Sequence, residues 1–346
     1  MAKGLARSTR RVARRLLRRP DGRGVVAESN PEAARTLPDF RFFAVLGTWM
    51  EEDVVEATVR NAFAQGVEAV FLVDNASTDA TVARAEAAGA VLAESFRTKV
   101  YEEHVRVLLM SAVVARESLR CEADHVWWLY LDADEFPEGP DGLTIREYLA
   151  SLDRRFRLVG STYFNHFPNS TPQNLPGFHP VDLQPLNERY VRERPKFCGQ
   201  DHFKHPLQRY DLGGPFVMSF IGFHSANTLA RTPLLEPVGG ILTHHVQYRD
   251  EAVTRRRLEL LCGTDPRNAH NDALGNTAIR KRFESLDAVY AQRWADVDNL
   301  RVREANAGVA PTPWRGPVGP RWYTPAELDA ARRHWHEEHE VHAGAE

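Results

Sequence analysis

The densest chemistry in the chain lies in Trp127-Trp128-Leu129-Tyr130-Leu131-Asp132-Ala133-Asp134-Glu135-Phe136, where an apolar run ends in three carboxylates within four residues. In an extended chain Asp132 and Asp134 fall on the same side, and two like charges so placed repel unless a cation joins them. Hard oxygen donors at this spacing suit Mg²⁺ or Mn²⁺, and such an ion can in turn grip a phosphate. The competing reading is a solvated acidic turn, and the apolar run before the carboxylates favours the metal. A second apolar run turns polar at Asp74-Asn75-Ala76-Ser77-Thr78-Asp79-Ala80-Thr81. Asp74 can accept a hydrogen bond from a base or ribose, while Ser77 or Asp79 can equally cap the helix that follows. A third run ends in Gly47-Thr48-Trp49-Met50-Glu51-Glu52-Asp53. Late in the chain, Thr243-His244-His245-Val246-Gln247-Tyr248-Arg249 offers another metal ligand in His245. Arg249 adds a guanidinium fork shaped for a diphosphate.

Alternating elements must hold these segments. Apolar runs at Phe40–Leu46, Val67–Val73, Ala90–Ala93 and Val126–Leu131 read as strands, separated by helical patterns at Asp53–Gln65, Ala80–Ala88 and Val100–Leu119. Such alternation predicts crossovers and a mostly parallel sheet with helices on both faces. Ligands of open parallel sheets bind outside the carboxyl ends of the strands, so the polar turns would share one rim. Residues 165–215, rich in Pro, Asn, Gly and His, read as long loops around that sheet. Helical periodicity returns at Ala252–Leu261 and near Ile279–Val297, and Thr324, Pro325 and Glu327 mark the start of a last helix.

Taken together, Asp74-Asn75-x-Ser77-x-Asp79-x-Thr81, Asp132-x-Asp134-Glu135-Phe136 and His245-x-x-Tyr248-Arg249 resemble the family 2 glycosyltransferases, in the branch that carries these three motifs in this order. The resemblance covers about residues 40–260. It implies a GT-A fold, an α/β architecture with a mostly parallel central sheet and C-terminal helices. It also implies a metal-dependent inverting glycosyltransferase that moves a sugar from a nucleotide-diphospho-sugar to a hydroxyl of a glycan, lipid-linked or other acceptor. By that likeness Asp132, Asp134 and His245 hold Mn²⁺ or Mg²⁺, and Glu51, Asp74, Asn75, Asp79, Asp132 and Arg249 bind the donor. Glu51 matches the acidic position of the family's first-strand Asn-Glu motif, but Met50 stands where Asn is usual. Inversion needs a general base on the acceptor hydroxyl. Asp201, flanked by Gly199 and His202, is the candidate; Asp182, Glu188, Glu193, His202 and His224 are the alternatives. A catalytically inactive nucleotide- or carbohydrate-binding protein on the same fold is the competing reading. A phosphohydrolase of the haloacid-dehalogenase type is disfavoured, because Glu135-Phe136 follows where that motif wants Thr or Val.

The charge of the 346-residue chain divides unevenly. Its formal net charge is −3, but residues 1–19 hold eight basic side chains and no acid, which leaves −11 for the remainder. In that arm Leu5, Val12 and Leu16 form one helical stripe, so it can lie peripherally on an anionic membrane surface. A solvated arm, or one touching nucleic acid without sequence preference, is the alternative. The expected division is a basic arm and linker over 1–38, a GT-A domain over 39–262 and a helical extension over 263–346. No apolar stretch approaches the roughly 20 residues of a membrane span. The three cysteines are too scattered for a disulfide framework or a zinc site. No apolar core follows the basic start, so the expected location is cytoplasmic, at most touching the inner face of the membrane. Asn75-Ala76-Ser77 and Asn169-Ser170-Thr171 are then chance matches to a glycosylation pattern. His334, His336, His339 and His342 show no H-E-x-x-H spacing and read as an exposed helix face.

Overall fold

The chain alternates strand and helix from Arg41 to Asp132 because apolar runs long enough for a strand are separated by amphipathic stretches with helical spacing. The elements are β1 (Arg41–Thr48), α1 (Val55–Ala64), β2 (Ala69–Asp74), α2 (Thr81–Ala87), β3 (Val91–Ser95), α3 (Glu103–Arg120) and β4 (His125–Asp132). There follow β5 (Glu135–Glu138), α4 (Ile145–Ser151), β6 (Leu158–Phe167), α5 (Pro180–Leu183), β7 (Leu186–Tyr190), β8 (Lys204–Asp211) and β9 (Ile241–His245). The computed structural model describes residues 25–27, 36–37, 39–98, 102–167, 179–184, 186–190, 204–219, 221–223, 226–228, 234–237, 240–247, 249, 252–256 and 288. The basic arm of residues 1–19, Asp201, Tyr248 and the C-terminal histidines lie outside the described residues.

These nine strands join one sheet in the order β3-β2-β1-β4-β8-β6-β9-β5, with β7 paired to β6, and two short two-stranded pairs lie outside it among the described residues. The strands β3, β2, β1 and β4 are mutually parallel. Beyond β4 the sheet turns mixed: β8 runs antiparallel between β4 and β6, and β9 runs parallel to β6. The expected α/β architecture with a mostly parallel sheet is what the structure has.

Both faces of the central strands are covered, which explains why those strands read as unbroken apolar runs. On one face Phe42, Ala44, Leu46, Trp127, Leu129 and Leu131 pack against α1 and α4 residues such as Val55, Val59, Ile145 and Leu149. On the other, Phe43, Val45, Val126, Trp128 and Tyr130 pack against Met110, Val113 and Val114 of α3. Phe43 meets Trp128 edge-on at 5.3 Å. The Trp128 indole is satisfied by the Ser118 hydroxyl, a 2.8 Å bond that pins α3 to β4.

Two expectations need correction. The stretch 165–215 is not a run of loops: β6 ends in it, and α5, β7 and β8 lie within it. The β8 strand was illegible because His205, Gln208 and Arg209 among its buried residues are polar. His205 bonds Glu236 at 2.8 Å, Gln208 bonds the His205 carbonyl, and Arg209 bonds Asp211 at 2.7 Å. Pro206, which argues against a central strand, sits where the β6–β8 register slips, so no ladder donor is missed there. The supposed linker of residues 21–38 also contributes structure, since Val25–Ala27 pairs in parallel with Leu235–Pro237. No helix among the described residues is long and apolar enough to cross a membrane.

Candidate functional site

The parallel register sets the carboxyl ends of β2, β1 and β4 side by side: Thr48 lies beside Asp74, and Gly47 beside Asp132. The β9 strand delivers His245 directly opposite Glu135 of β5. Sequence segments about 200 residues apart therefore meet on one rim, as the strand-end argument requires.

The acidic turn is held from two sides. Thr58 of α1 donates its hydroxyl to the Ala133 carbonyl, and the Val246 amide donates to the Asp134 carbonyl at 2.9 Å. Because the chain turns at Ala133–Asp134, the two aspartates are not successive same-side residues of a strand, as extended geometry implied. Asp134 is buried, and its Oδ2 lies 3.6 Å from His245 Nε2. Asp132 faces two cations instead: Arg106 Nη1 reaches Oδ1 at 2.5 Å and Lys204 Nζ reaches Oδ2 at 2.6 Å. Burial alone would raise its pKa, but Arg106 and Lys204 outweigh burial and hold the Asp132 carboxyl below the usual carboxylate range. Lys204 also binds Glu135, whose other oxygen accepts from the Tyr163 hydroxyl at 2.8 Å. Burial pushes Glu135 up to about 7 against the pull of Lys204, and nearby Asp132 adds to the rise.

The donor set of two carboxylates and an imidazole fits a divalent cation in kind, the imidazole tilting it from Mg²⁺ toward Mn²⁺. Among the described residues no three His, Cys, Asp or Glu side chains stand close enough to hold an ion as they are arranged. Asp132 there has one cation on each oxygen, Arg106 on Oδ1 and Lys204 on Oδ2.

The Asp74 turn is a dense knot of hydrogen bonds. Asp74 is buried and accepts from the Thr48 hydroxyl at 2.8 Å, the Ser77 hydroxyl at 2.6 Å and the Ser77 amide at 2.7 Å. Of a carboxylate's four or so acceptor directions, one is left. Asn75 clasps Thr98 through two bonds, fastening the loop after β3. Asp79 accepts from the Thr81 amide and hydroxyl at 3.0 and 2.5 Å, a local turn just ahead of α2, whose N-cap residue Ala80 has no side-chain cap. Met50 holds a φ of 60°, in the left-handed region that Asn tolerates and Met seldom adopts. Its sulfur accepts the Thr78 amide at 3.2 Å, and Arg256 stands 3.9 Å from it.

Arg249 is not spread toward solvent. Buried at the rim, it bonds Glu51 Oε2 through Nη2 at 2.5 Å, and its Nε lies 2.5 Å from Asp53 Oδ2. Its Nη1 is buried with no hydrogen-bond partner among the described residues. Of the proposed bases, Asp182 falls in α5 and Glu188 in β7; Glu193, Asp201, His202 and His224 lie outside the described residues. Sequence reading missed Arg106, Lys204 and Tyr163. Arg106 and Glu103 look like an exposed i,i+3 pair on a helix, and Lys204 belongs to the strand taken for loop.

No family model matches the chain, and no curated protein sequence matches it. Among solved structures, the glucosyl-3-phosphoglycerate synthase of Mycobacterium tuberculosis in complex with Mn²⁺ and uridine-diphosphate-glucose is 20% identical over 36% of this chain and 43% of that one, with a TM-score of 0.25. The same synthase in complex with phosphoglyceric acid gives 20% identity, coverages of 36% and 44%, and a TM-score of 0.24. The match thus spans less than half the length of that synthase. A mycobacterial protein is 16% identical over 64% of this chain and 74% of its own, with a TM-score of 0.32. These are partial likenesses, and the chemistry of this chain rests on its own residues.

Proposed function

We propose that the chain is a metal-dependent, inverting glycosyltransferase that moves a sugar from a nucleotide-diphospho-sugar to a hydroxyl acceptor. The observation that carries this reading is the convergence of Asp74, Asp132, Asp134 and His245 on the carboxyl ends of parallel strands. In it, Asp134 and His245, with Asp132, hold Mn²⁺ or Mg²⁺. A divalent cation there supplies positive charge to the diphosphate leaving group as the sugar bond breaks. Asp74 offers its remaining acceptor direction to the base, and the knot around it fixes that direction before the donor arrives. Asn75 and Asp79 shape the same turn rather than reach the donor. Glu51 and Asp53 hold Arg249, whose Nη1 is the donor left for a phosphate or ribose oxygen. The acceptor hydroxyl loses its proton to a base, for which Asp201 is the candidate. A glycan, lipid-linked or other hydroxyl acceptor fits the scheme equally. Location in the cytoplasm, with residues 1–19 touching an anionic membrane surface, belongs to the same proposal.

The competing reading, a nucleotide- or carbohydrate-binding protein without turnover, draws on the occupied oxygens of Asp132. A screen of nucleotide-sugars for donor hydrolysis or transfer, with and without Mn²⁺, separates the two. The expected result is turnover of one donor that needs Mn²⁺ and is lost in the double variant Asp132→Asn, Asp134→Asn, its fold checked by circular dichroism. Turnover that survives the double change refutes the mechanism, and Mn²⁺-dependent donor binding without turnover selects the competing reading.

A further inference from the structure

Asp132 is gripped by two cations to which the donor scheme gives no task. They come from different elements, Arg106 from α3 and Lys204 from β8, and each takes a different oxygen. Their side chains are only 8% and 12% exposed, so neither is an incidental surface neighbour. Arg106 is aimed from behind. Glu103 receives its Nε at 2.9 Å and its Nη2 at 2.7 Å, which leaves Nη1 for the rim. Glu103 is itself steadied by the Gly222 amide at 3.1 Å. Gly47 clears the path, because a Cβ there would stand 2.9 Å from Nη1 and 3.0 Å from Cδ of Arg106. Lys204 Nζ lies 5.5 Å from the Tyr163 ring centre and 5.6 Å from that of Phe223, and Phe223 also lies against Arg106 at 5.3 Å. Phe223 holds a φ of 58°, a conformation that a bulky residue keeps only under constraint. A strained aromatic turn is thus maintained where the two cations meet Asp132.

A divalent cation and these two side chains compete for the same oxygens of Asp132. A diphosphate, in contrast, needs positive donors in a buried setting, and a guanidinium with an ammonium beside it suits two phosphoryl groups. We propose that Arg106 and Lys204 are a diphosphate-binding pair held in reserve on Asp132, and that they pass to phosphate oxygens when Asp132 turns to the cation that accompanies the donor. This rests on the glycosyltransferase reading above. Donor and cation then bind with positive coupling, since each frees groups that the other requires. In the empty site the pair keeps Asp132 from holding a cation without its nucleotide.

The experiment measures two affinities in Lys204→Gln and Arg106→Gln, separately, against the unaltered chain. The first is for Mn²⁺ alone, from the paramagnetic signal of the free ion; the second is for UDP and GDP at saturating Mn²⁺, by calorimetry. Each variant is expected to bind Mn²⁺ about tenfold more tightly, because Asp132 is released and a repelling charge is gone. Each is expected to bind the nucleoside diphosphate about tenfold more weakly, for want of one charged donor. Lys204→Arg keeps the charge and should restore nucleotide affinity. A merely structural role lowers both affinities together. Changes of the same sign, or no change, in variants of a chain that does bind UDP or GDP overturn the proposal and leave the donor reading standing. A chain that binds neither nucleotide with Mn²⁺ overturns both. Because the two positions sit on different elements, either variant suffices if the other fails to fold.

Discussion

Replacing Asp74 separates its work in the turn from its work on a ligand. Its carboxylate satisfies three buried donors, the hydroxyls of Thr48 and Ser77 and the Ser77 amide. Asp74→Ala leaves all three without an acceptor. At roughly 1–3 kcal/mol for each orphaned donor, with some recovered as the hydroxyls turn elsewhere, the loss should be about 3–5 kcal/mol. Asp74→Asn behaves differently. Its carbonyl can keep the Ser77 amide while its NH₂ donates to the two hydroxyls, which rotate to accept. Only the charge assistance is lost, about 1 kcal/mol. Guanidinium unfolding followed by fluorescence should show a much lower midpoint for Ala, a slightly lower one for Asn, and unchanged slopes. Nucleotide affinity gives the second axis: the Asn variant keeps a carbonyl oxygen with one open acceptor direction where Asp74 Oδ2 stands, so it should fold and bind UDP or GDP only about threefold more weakly, for want of the charge. Equal destabilisation by Asn and Ala, or an Ala variant within about 1 kcal/mol of the unaltered chain, would refute the reasoning about the knot.

Two further outcomes test the half of the sheet built by β6 and β9. His166 and His244 are buried there, and His179 is half-buried beside them; desolvation chiefly, and for His166 and His179 their histidine neighbours, press each down to about 3. They are neutral in the fold but protonate in the unfolded chain below about 6.5, so their contribution is complete above that pH. It is lost as pH falls toward 3, at up to about 1.4 kcal/mol per pH unit for each histidine. Stability flat between pH 6.5 and 4.5 would contradict this, and His166→Gln should reduce the slope. Gly240→Ala should destabilise by more than about 3 kcal/mol. Its Cβ would stand 2.2 Å from the Gly160 carbonyl at a φ of 127°. Gly213→Ala, with open space but a φ of 74°, should cost only about 1 kcal/mol, and similar midpoints for the two would contradict the steric argument.

The parallel half of the fold was legible because its physics is local. β1, β2 and β4 are apolar on both faces, and the helices between them carry a plain period. The rim was legible for the same reason, since strand ends declare themselves where an apolar run meets Asp74 or Asp132. What stayed hidden depends on pairing across the sheet. β8 buries His205, Gln208 and Arg209 only because Glu236, the His205 carbonyl and Asp211 await them, and a single sequence does not display such partners. Arg106 reads as a surface residue until Gly47 and Asp132 are placed beside it. Arg249 was expected at a phosphate, and Glu51 matched a motif, yet that the two bind each other depends on which segments the topology joins.

That bond between Arg249 and Glu51 makes the rim a closed circuit. The exit of the first central strand is fastened to the chain just beyond the last, with Arg256 reaching Met50 a few residues later. The site therefore has no modular half. A fragment cut after β5 or after β8 keeps Asp74 and the acidic turn but strips Glu51 and Asp53 of their Arg249 counter-charge, and two buried or half-buried acids without Arg249 would push the rim open. On the proposed reading, donor binding and completion of the fold are in this sense one event: the groups assigned to the nucleotide are assembled only when the chain has run past residue 249.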